Sequence, residues 1–145
     1  MTKKSFLKKM SNIAVLGISI ISLVPMIAYG ANKTWSGYAA TPGSSIYTES
    51  CSKVTTSSVI ANYSSGSSDS VGAMVEASLS YSNFKDVTYY NVNHKSYNIA
   101  KNSAGYVEIL NIAHETFGDC MTRVRYVTSS AGNHRGWWRP DIGSK

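Results

Sequence analysis

Residues 73–82 alternate apolar and polar side chains with a period of two, and this alternation constrains the fold more than any other feature of the chain. Successive side chains of a β-strand point to opposite faces, so the pattern predicts a half-buried strand. Its apolar face carries Ala73, Val75, Ala77, Leu79 and Tyr81. Such a strand needs paired neighbours and a second layer over its apolar face, which favours an all-β fold.

Residues 121–127 repeat the alternation in a second strand. Val124 and Tyr126 fall on one face of this strand, and Arg123 and Arg125 fall on the other. Because an antiparallel sheet commonly buries one face and leaves the other in solvent, we expect both arginines to face water.

Shorter strand candidates lie at intervals of roughly ten residues, separated by turns rich in Ser, Gly, Asn and Asp. They are residues 46–54, 57–63, 87–93, 96–100, 106–113 and 136–139. This arrangement is typical of an antiparallel β-sandwich or barrel. The sequence therefore predicts an all-β fold, a small antiparallel β-sandwich of about seven to eight short strands.

The first thirty residues have the parts of a secretory signal peptide. Four lysines lie near the N-terminus, an uncharged apolar run follows over 13–28, and Ala28 and Gly30 are small residues that suit a cleavage site. The run is shorter than the ~20 residues of a membrane-spanning helix, so we expect no stable membrane anchor. The sequence predicts a cleaved signal peptide at 1–30 and a single secreted, extracellular domain at 31–145.

Cleavage would remove much of the positive charge. The formal net charge of +6 includes the four lysines of the predicted signal peptide, so the remaining domain carries +2. Non-specific binding of nucleic acid depends on several cationic side chains that neutralise phosphates from one surface. A charge this small argues against nucleic acid as a partner.

The chain contains two cysteines, Cys51 and Cys120. In an exported protein, a lone pair of cysteines is expected to form a disulfide. We therefore predict a Cys51–Cys120 bridge, which would stabilise the fold by about 4 kcal/mol on the chain-entropy model.

No catalytic or metal-binding motif is recognisable in the sequence. His94, His114 and His134 lack the short paired spacing of a zinc site, which favours surface or turn histidines. No serine lies in a Gly-x-Ser-x-Gly motif. Glu76 and Glu108 could imitate a glycosidase pair, but each takes an ordinary outward position in its predicted strand. We expect a protein that is not an enzyme and uses no cofactor or metal, with a small hydrolase built around a histidine as a further alternative.

Aromatic and basic residues near the two ends of the predicted domain suggest a recognition surface. Exposed Trp and Tyr rings stack on sugar faces, and arginines bind carboxylate or phosphate groups. The predicted binding residues are Trp35, Tyr38, Arg135, Trp137 and Arg139. The alternative is that the C-terminal aromatic strand only plugs the core.

The consecutive residues Trp137 and Trp138 must point to opposite faces if they lie in a strand. Arg135 and Arg139 share the face of Trp137, whereas Gly136 shares the face of Trp138. We therefore expect Trp138 in the core and Trp137 on an outward aromatic and cationic edge.

Three segments resemble the lactococcin-type secreted β-sandwich bacteriocins of Gram-positive bacteria. They are the Trp-x-Gly-Tyr start at 35–38, the Ser- and Tyr-containing stretch at 44–47, and residues 53–62 with their Ser, Thr, Val and Asn. The resemblance implies a small exported β-sandwich that kills by binding the cell-wall precursor lipid II. The chain departs from that family in its greater length, in its two cysteines and in residues 139–145, which follow the aromatic strand.

These features together predict a secreted, non-enzymatic bacterial protein that binds a cell-envelope component, either a wall precursor or a wall polysaccharide. An antimicrobial, bacteriocin-like role is the leading hypothesis. The alternative is a carbohydrate- or wall-polymer-binding matrix protein without toxicity. The matrix protein would present a planar row of exposed Trp and Tyr, whereas a toxin could use a compact pocket or a cationic end.

Overall fold

The computed structural model describes residues 31–89 and 97–141. The predicted signal peptide and His94 lie outside these residues. The strands of the described residues are β1 (Lys33–Ala39), β2 (Ser45–Tyr47), β3 (Cys51–Lys53), β4 (Val59–Ala61), β5 (Ser65–Gly66), β6 (Ser70–Ser78), β7 (Lys85–Asp86), β8 (Tyr97–Ala100), β9 (Val107–Ile109), β10 (Cys120–Thr128) and β11 (Gly132–Arg139). One short helix, α1 (Ala113–Phe117), lies between β9 and β10. Among these elements, no helix has the length and apolar character needed to cross a lipid bilayer.

The strands form two antiparallel sheets, which confirms the predicted all-β class. Sheet A has the order β1-β11-β4-β9, with β5 also paired to β11. Sheet B has the order β2-β10-β6-β7, with β3 also paired to β10 and β8 to β6. The eleven described strands exceed the predicted seven to eight. The difference arises because two short strands often pair in succession along one long strand, as β2 and β3 do along β10.

The core lies between the inner faces of the two sheets, and alternation along β6 and β10 supplies much of it. The residues of these two strands in the hydrophobic core are Val71, Ala73, Val75, Ala77, Cys120, Val124 and Tyr126. The predicted strand at 73–82 ends early, at Ser78. Leu79 and Tyr81, which the pattern assigned to the buried face, are 70% and 79% exposed beyond the strand end.

Strand β11 supports the prediction for the two tryptophans. Trp138 is completely buried, and Trp137 is partly exposed on the opposite face. Gly136 directly precedes the two tryptophans, at a position where an added Cβ would overlap the carbonyl oxygen of Asn62. Only a glycine at this position lets the indole nitrogen of Trp35 donate to that same oxygen at 3.2 Å.

The predicted disulfide is not formed, because Cys51 and Cys120 are free thiols. Strand β3 is paired with β10 so that Cys51 lies opposite Thr122 and Cys120 lies opposite Lys53. The two cysteines are therefore diagonal neighbours. Diagonal residues of a sheet are typically ~7–8 Å apart, which exceeds the roughly 5.5–6 Å between Cα atoms that disulfides favour. Burial raises the pKa of both thiols.

A buried ion pair connects β3 to the residue that follows Pro140 after β11. Lys53 Nζ lies 2.8 Å from Asp141 Oδ1, and the two side chains are 0% and 1% exposed. The ammonium also donates to the carbonyl oxygens of Ser57 and Pro140. Burial raises the pKa of Asp141, but hydrogen bonds from Lys53 and Thr55 outweigh burial and hold the pKa below its ordinary value.

Candidate functional site

The outer face of sheet A combines aromatic, hydroxyl and guanidinium groups. The register of β1 and β11 places Tyr38 opposite Asn133, Ser36 opposite Arg135 and Thr34 opposite Trp137. Directly opposed residues of an antiparallel pair share a face, so these side chains form one surface. We call the surface bounded by Tyr38 and Trp137 the recognition face.

Two shallow depressions lie along the recognition face. The first has a volume of about 500 Å³ and is lined by Ser36, Gly37, Tyr38, Ser65, Asn133, His134 and Arg135. The second has a volume of about 620 Å³ and is lined by Thr34, Trp35, Ser36, Ser64, Ser65, Ser103, Arg135, Gly136 and Trp137. Both include Ser36, Ser65 and Arg135, so the depressions adjoin at these residues. The face can therefore hold an extended molecule.

Arg135 lies at the centre of the face, where both depressions meet. Its Nε donates to Ser65 Oγ at 2.6 Å, which orients the guanidinium. In the part of the chain that the structure describes, Arg135 takes part in no ion pair with a carboxylate. Arg139, farther along the same face, donates through Nε and Nη2 to the amide oxygen of Asn32. Both arginines thus have neutral partners.

Trp137 forms one end of the face together with Tyr106. The two ring centroids are 6.2 Å apart at an angle of 54°, and Tyr106 is 55% exposed. Tyr106 was not among the predicted site residues. Trp137 is 31 positions away from Tyr106 in the sequence, and a local sequence pattern does not predict a contact over that distance.

A bulge in sheet A holds the loop that carries Tyr106. Ala61 lies opposite Trp138 and Ser65 opposite Arg135, so the segment between β4 and β5 contains one residue more than β11. Asn62, in this bulge, donates through Nδ2 to the carbonyl oxygens of Asn102 and Gly105. Asn62 therefore positions the loop beside Trp137.

The structure divides the predicted binding residues into two groups. Tyr38, Arg135, Trp137 and Arg139 lie on the outer face of sheet A. Trp35 does not, because it is 5% exposed and stacks on Tyr126 in the core with ring centroids 4.0 Å apart. Trp35 has the inward phase of β1, so its ring is not part of the exposed aromatic surface, although the residue lines the second depression. The binding role of all five predicted residues stays a prediction.

The outer face of sheet B carries the other arginines, and here they are engaged. Arg123 Nε donates to Glu76 Oε2 at 2.8 Å, and Arg125 Nε lies 3.4 Å from Glu76 Oε1. The Arg123 guanidinium also lies 4.3 Å from the ring centroids of both Tyr47 and Phe84. Both arginines point outward as predicted, but they are only partly exposed because Glu76 and the rings cover them.

Glu76 and Glu108 do not form a pair of carboxylates. Glu76 is 6% exposed beneath the arginines of sheet B, contrary to the expected solvated position. Glu108 is exposed and lies opposite Ile60 in sheet A. The two acids therefore occupy different sheets and are not juxtaposed as the carboxylates of a glycosidase are.

His134 is buried in β11 at 1% exposure, so the expectation of a surface or turn histidine was wrong here. Its Nδ1 lies 3.0 Å from Tyr63 Oη, and its Nε2 lies 3.1 Å from the carbonyl oxygen of Ser130 and 3.3 Å from Ser67 Oγ. Because a carbonyl oxygen can only accept, Nε2 donates to Ser130. The Ser67 hydroxyl in turn donates to the carbonyl oxygen of Ala131 at 2.6 Å. The contact between Ser67 and His134 therefore lacks the free base that a nucleophilic serine needs.

His114 lies on α1, partly exposed, with Nε2 3.3 Å from Asp119 Oδ1. Among residues 31–89 and 97–141, no cluster of three or more His, Cys, Asp or Glu side chains could hold a metal ion.

No protein-family model, curated protein or solved structure matches this chain.

Proposed function

We propose that this protein is a secreted, non-enzymatic module that binds a polysaccharide of the bacterial cell envelope through the recognition face. The supporting observation is the arrangement of two aromatic residues, the exposed Tyr38 and the partly exposed Trp137, on one sheet surface with Arg135 between them. Export would follow cleavage after Gly30, and the exported domain would be the β-sandwich at 31–145.

The open shape of the face favours a polymer as the ligand. Tyr38 is 69% exposed, and Trp137 is partly exposed and meets Tyr106 at a tilt of 54°, so both rings can stack on sugar rings. The hydroxyls of Ser36, Ser65 and Ser103 line the depressions and can bond to sugar hydroxyls. A row of rings along a sheet is the surface expected of a wall-polymer-binding protein, whereas binding of a small precursor such as lipid II would favour an enclosed pocket.

Co-sedimentation with purified envelope material tests the proposal. The full chain is incubated with insoluble peptidoglycan that retains its attached polymers, and with chitin, and the bound fraction is measured over a range of protein concentrations. Trp137→Ala should weaken binding by about tenfold, because the stacking platform is removed. Tyr81→Ala is the matched control, since Tyr81 is an exposed aromatic residue outside the face. It should bind like the wild type.

Equal binding by the wild type and Trp137→Ala would contradict the proposal. The same purified proteins can be applied to growing Gram-positive strains to separate the two roles that envelope binding could serve. Growth inhibition that depends on Trp137 supports the antimicrobial role, and binding without inhibition supports a matrix protein.

A further inference from the structure

Arg135 is the one guanidinium that lines both depressions of the recognition face. We propose that it selects an anionic polysaccharide, with an acidic group held at Arg135 and sugar rings on Tyr38 and Trp137. This inference rests on the proposed polysaccharide-binding function and names the class of polymer.

The hydrogen bonding of Arg135 leaves its terminal nitrogens available. A guanidinium carries five N–H donors, one on Nε and the others on the two terminal nitrogens. Nε donates to Ser65, and among residues 31–89 and 97–141 the Nη1 and Nη2 groups have no hydrogen-bond partner, which leaves them open to a ligand. These two nitrogens can bind a carboxylate or phosphate with two parallel hydrogen bonds. Ser65 thus holds the guanidinium in place without occupying the binding edge.

No carboxylate of the described residues competes for this position. Neither depression is lined by Asp or Glu. Asp69 pairs with Lys101 instead, and Glu76 pairs with the arginines of sheet B. Arg139 differs from Arg135 because it already donates two N–H groups to Asn32. Arg135 is therefore the better anion-binding group of the face.

The register fixes the spacing that a ligand must match. Tyr38 is level with Asn133, four positions from Trp137 along β11, and Arg135 is two positions from each. At about 3.4 Å per residue, the aromatic positions are ~14 Å apart along the strands, and the backbone position of Arg135 is about 7 Å along the strands from either. This spacing suits a ring, an acidic group and a second ring in succession. A phosphodiester between sugar units and a carboxylate on a sugar both meet this requirement.

Titration calorimetry with three soluble polymers tests the inference. The probes are poly(ribitol phosphate) teichoic acid, polygalacturonate and the neutral oligosaccharide chitohexaose. The full chain should bind at least one acidic polymer about tenfold more tightly than chitohexaose. The preferred acidic polymer identifies the source of the charge as phosphodiester or carboxylate.

Variants of Arg135 provide the decisive comparison. Arg135→Gln should lose about tenfold in affinity for the preferred acidic polymer and lose distinctly less affinity for chitohexaose. The affinity of Arg135→Lys for the acidic polymer should lie between those of the wild type and Arg135→Gln, because lysine keeps the charge but lacks the paired donors. Lys85→Gln, which removes an exposed charge on sheet B, is the control and should match the wild type.

The outcomes separate this inference from the proposed function. If Arg135→Gln binds all three polymers like the wild type while Trp137→Ala loses binding, the anion-binding role is overturned and polysaccharide binding stands. If Trp137→Ala also binds like the wild type, both are overturned. A loss in Lys85→Gln equal to that in Arg135→Gln would show a general charge effect and would also overturn the inference.

Discussion

Strands β10 and β11 each carry arginines at alternating outward positions, but the partners of these arginines differ. Across β10, Arg123 lies opposite Glu76 of β6 and forms an ion pair with it. Across β11, Arg135 lies opposite Ser36 on one side and Ser65 on the other. The residue that the neighbouring strand places opposite an outward arginine thus determines whether the arginine forms an ion pair within the fold or remains available to a ligand.

The aromatic residues of the two faces differ in the same way. On sheet B, the rings of Tyr47 and Phe84 each have the Arg123 guanidinium over one face. On sheet A, Trp137 meets Tyr106 at a tilt, and its partly exposed ring has no cation over it among the described residues. A cation between two rings contributes to stability. A ring without a cation lacks that contribution, and its exposed part is open to a ligand.

The Lys53–Asp141 pair extends this comparison to a third environment. Its side chains are fully buried, those of Arg123 and Glu76 are 28% and 8% exposed, and Arg135 has no carboxylate partner among the described residues. The free energy of unfolding should therefore fall most when Asp141 loses its charge, less when Glu76 does, and least when Arg135 is replaced. The reason is that removing a partner costs more when the charge left unpaired is more deeply buried.

The largest effect is expected for Asp141→Asn. This change should lower the free energy of unfolding by about 3–5 kcal/mol at neutral pH, since Lys53 stays buried without a counter-charge. Urea denaturation measures it. Asp69→Asn is the control, because Asp69 is exposed and forms a weak ion pair with Lys101, with Oδ1 and Nζ 3.8 Å apart. It should cost less than about 1 kcal/mol. If Asp141→Asn were no more destabilising than Asp69→Asn, the buried Lys53–Asp141 pair would not be the most costly of the three environments to disrupt.

The pH dependence of the same variant follows from the depressed pKa of Asp141. A carboxyl whose folded pKa lies below its unfolded value of 3.8 contributes full stability above that value. The contribution is lost as the pH falls through the lower folded pKa. The stability gap between wild type and Asp141→Asn should therefore be constant near neutrality and narrow below pH 3.8. A gap that stays equally large in acid would contradict the depressed pKa.

The two tryptophans test the distinction between the inner and outer faces of one strand. Trp138→Ala should lower the free energy of unfolding by about 3–5 kcal/mol, because a completely buried ring is removed from the core. Trp137→Ala should cost less than about 1 kcal/mol, since its ring is partly exposed. Thermal unfolding compares the two. Equal losses, with no separate loss of polymer binding, would show that this strand only plugs the core.

An intermediate effect is expected for Glu76→Gln. The change removes the charge that Arg123 and Arg125 share, and it should cost about 1–2 kcal/mol, because the two partly exposed arginines regain some hydration. Glu108→Gln is the matched control on sheet A and should stay within about 0.5 kcal/mol, since Glu108 is exposed. If Glu76→Gln and Glu108→Gln changed the free energy of unfolding equally, the ion pairs of Glu76 on sheet B would not stabilise the fold.

Local alternation predicted the direction of side chains well. The period of two correctly assigned Trp137 and Trp138 to opposite faces and turned Arg123 and Arg125 outward. The same pattern failed at Leu79, because alternation does not show where the partner strand ends. The last residue of β6 paired with β10 is Ser78, whose hydroxyl bonds to the carbonyl oxygen of Ser82 in the following turn.

The contacts between distant strands could not be predicted from the sequence. The Lys53–Asp141 bond joins residues 88 positions apart, and the Arg123–Glu76 bond joins residues 47 apart. The predicted disulfide depended on the same unknown register. Cys51 and Cys120 do lie on adjacent strands, but they are offset diagonally across the pair instead of directly opposed. Composition identified the chemistry of the candidate site, whereas strand register decided which residues share it.

The smallest effect on stability is expected for Arg135→Gln. The guanidinium is exposed, and its one hydrogen bond in the described structure joins it to a serine hydroxyl. Its loss should change the free energy of unfolding by less than about 0.5 kcal/mol. Arg123→Gln, at the corresponding outward position of β10, should cost about 1–2 kcal/mol because it breaks both the ion pair and the aromatic stack. Urea denaturation of the two variants side by side measures the difference. If Arg135→Gln were as destabilising as Arg123→Gln, Arg135 would serve the fold as Arg123 does. A near-zero effect on folding, together with the loss of acidic-polymer binding, would assign Arg135 to recognition.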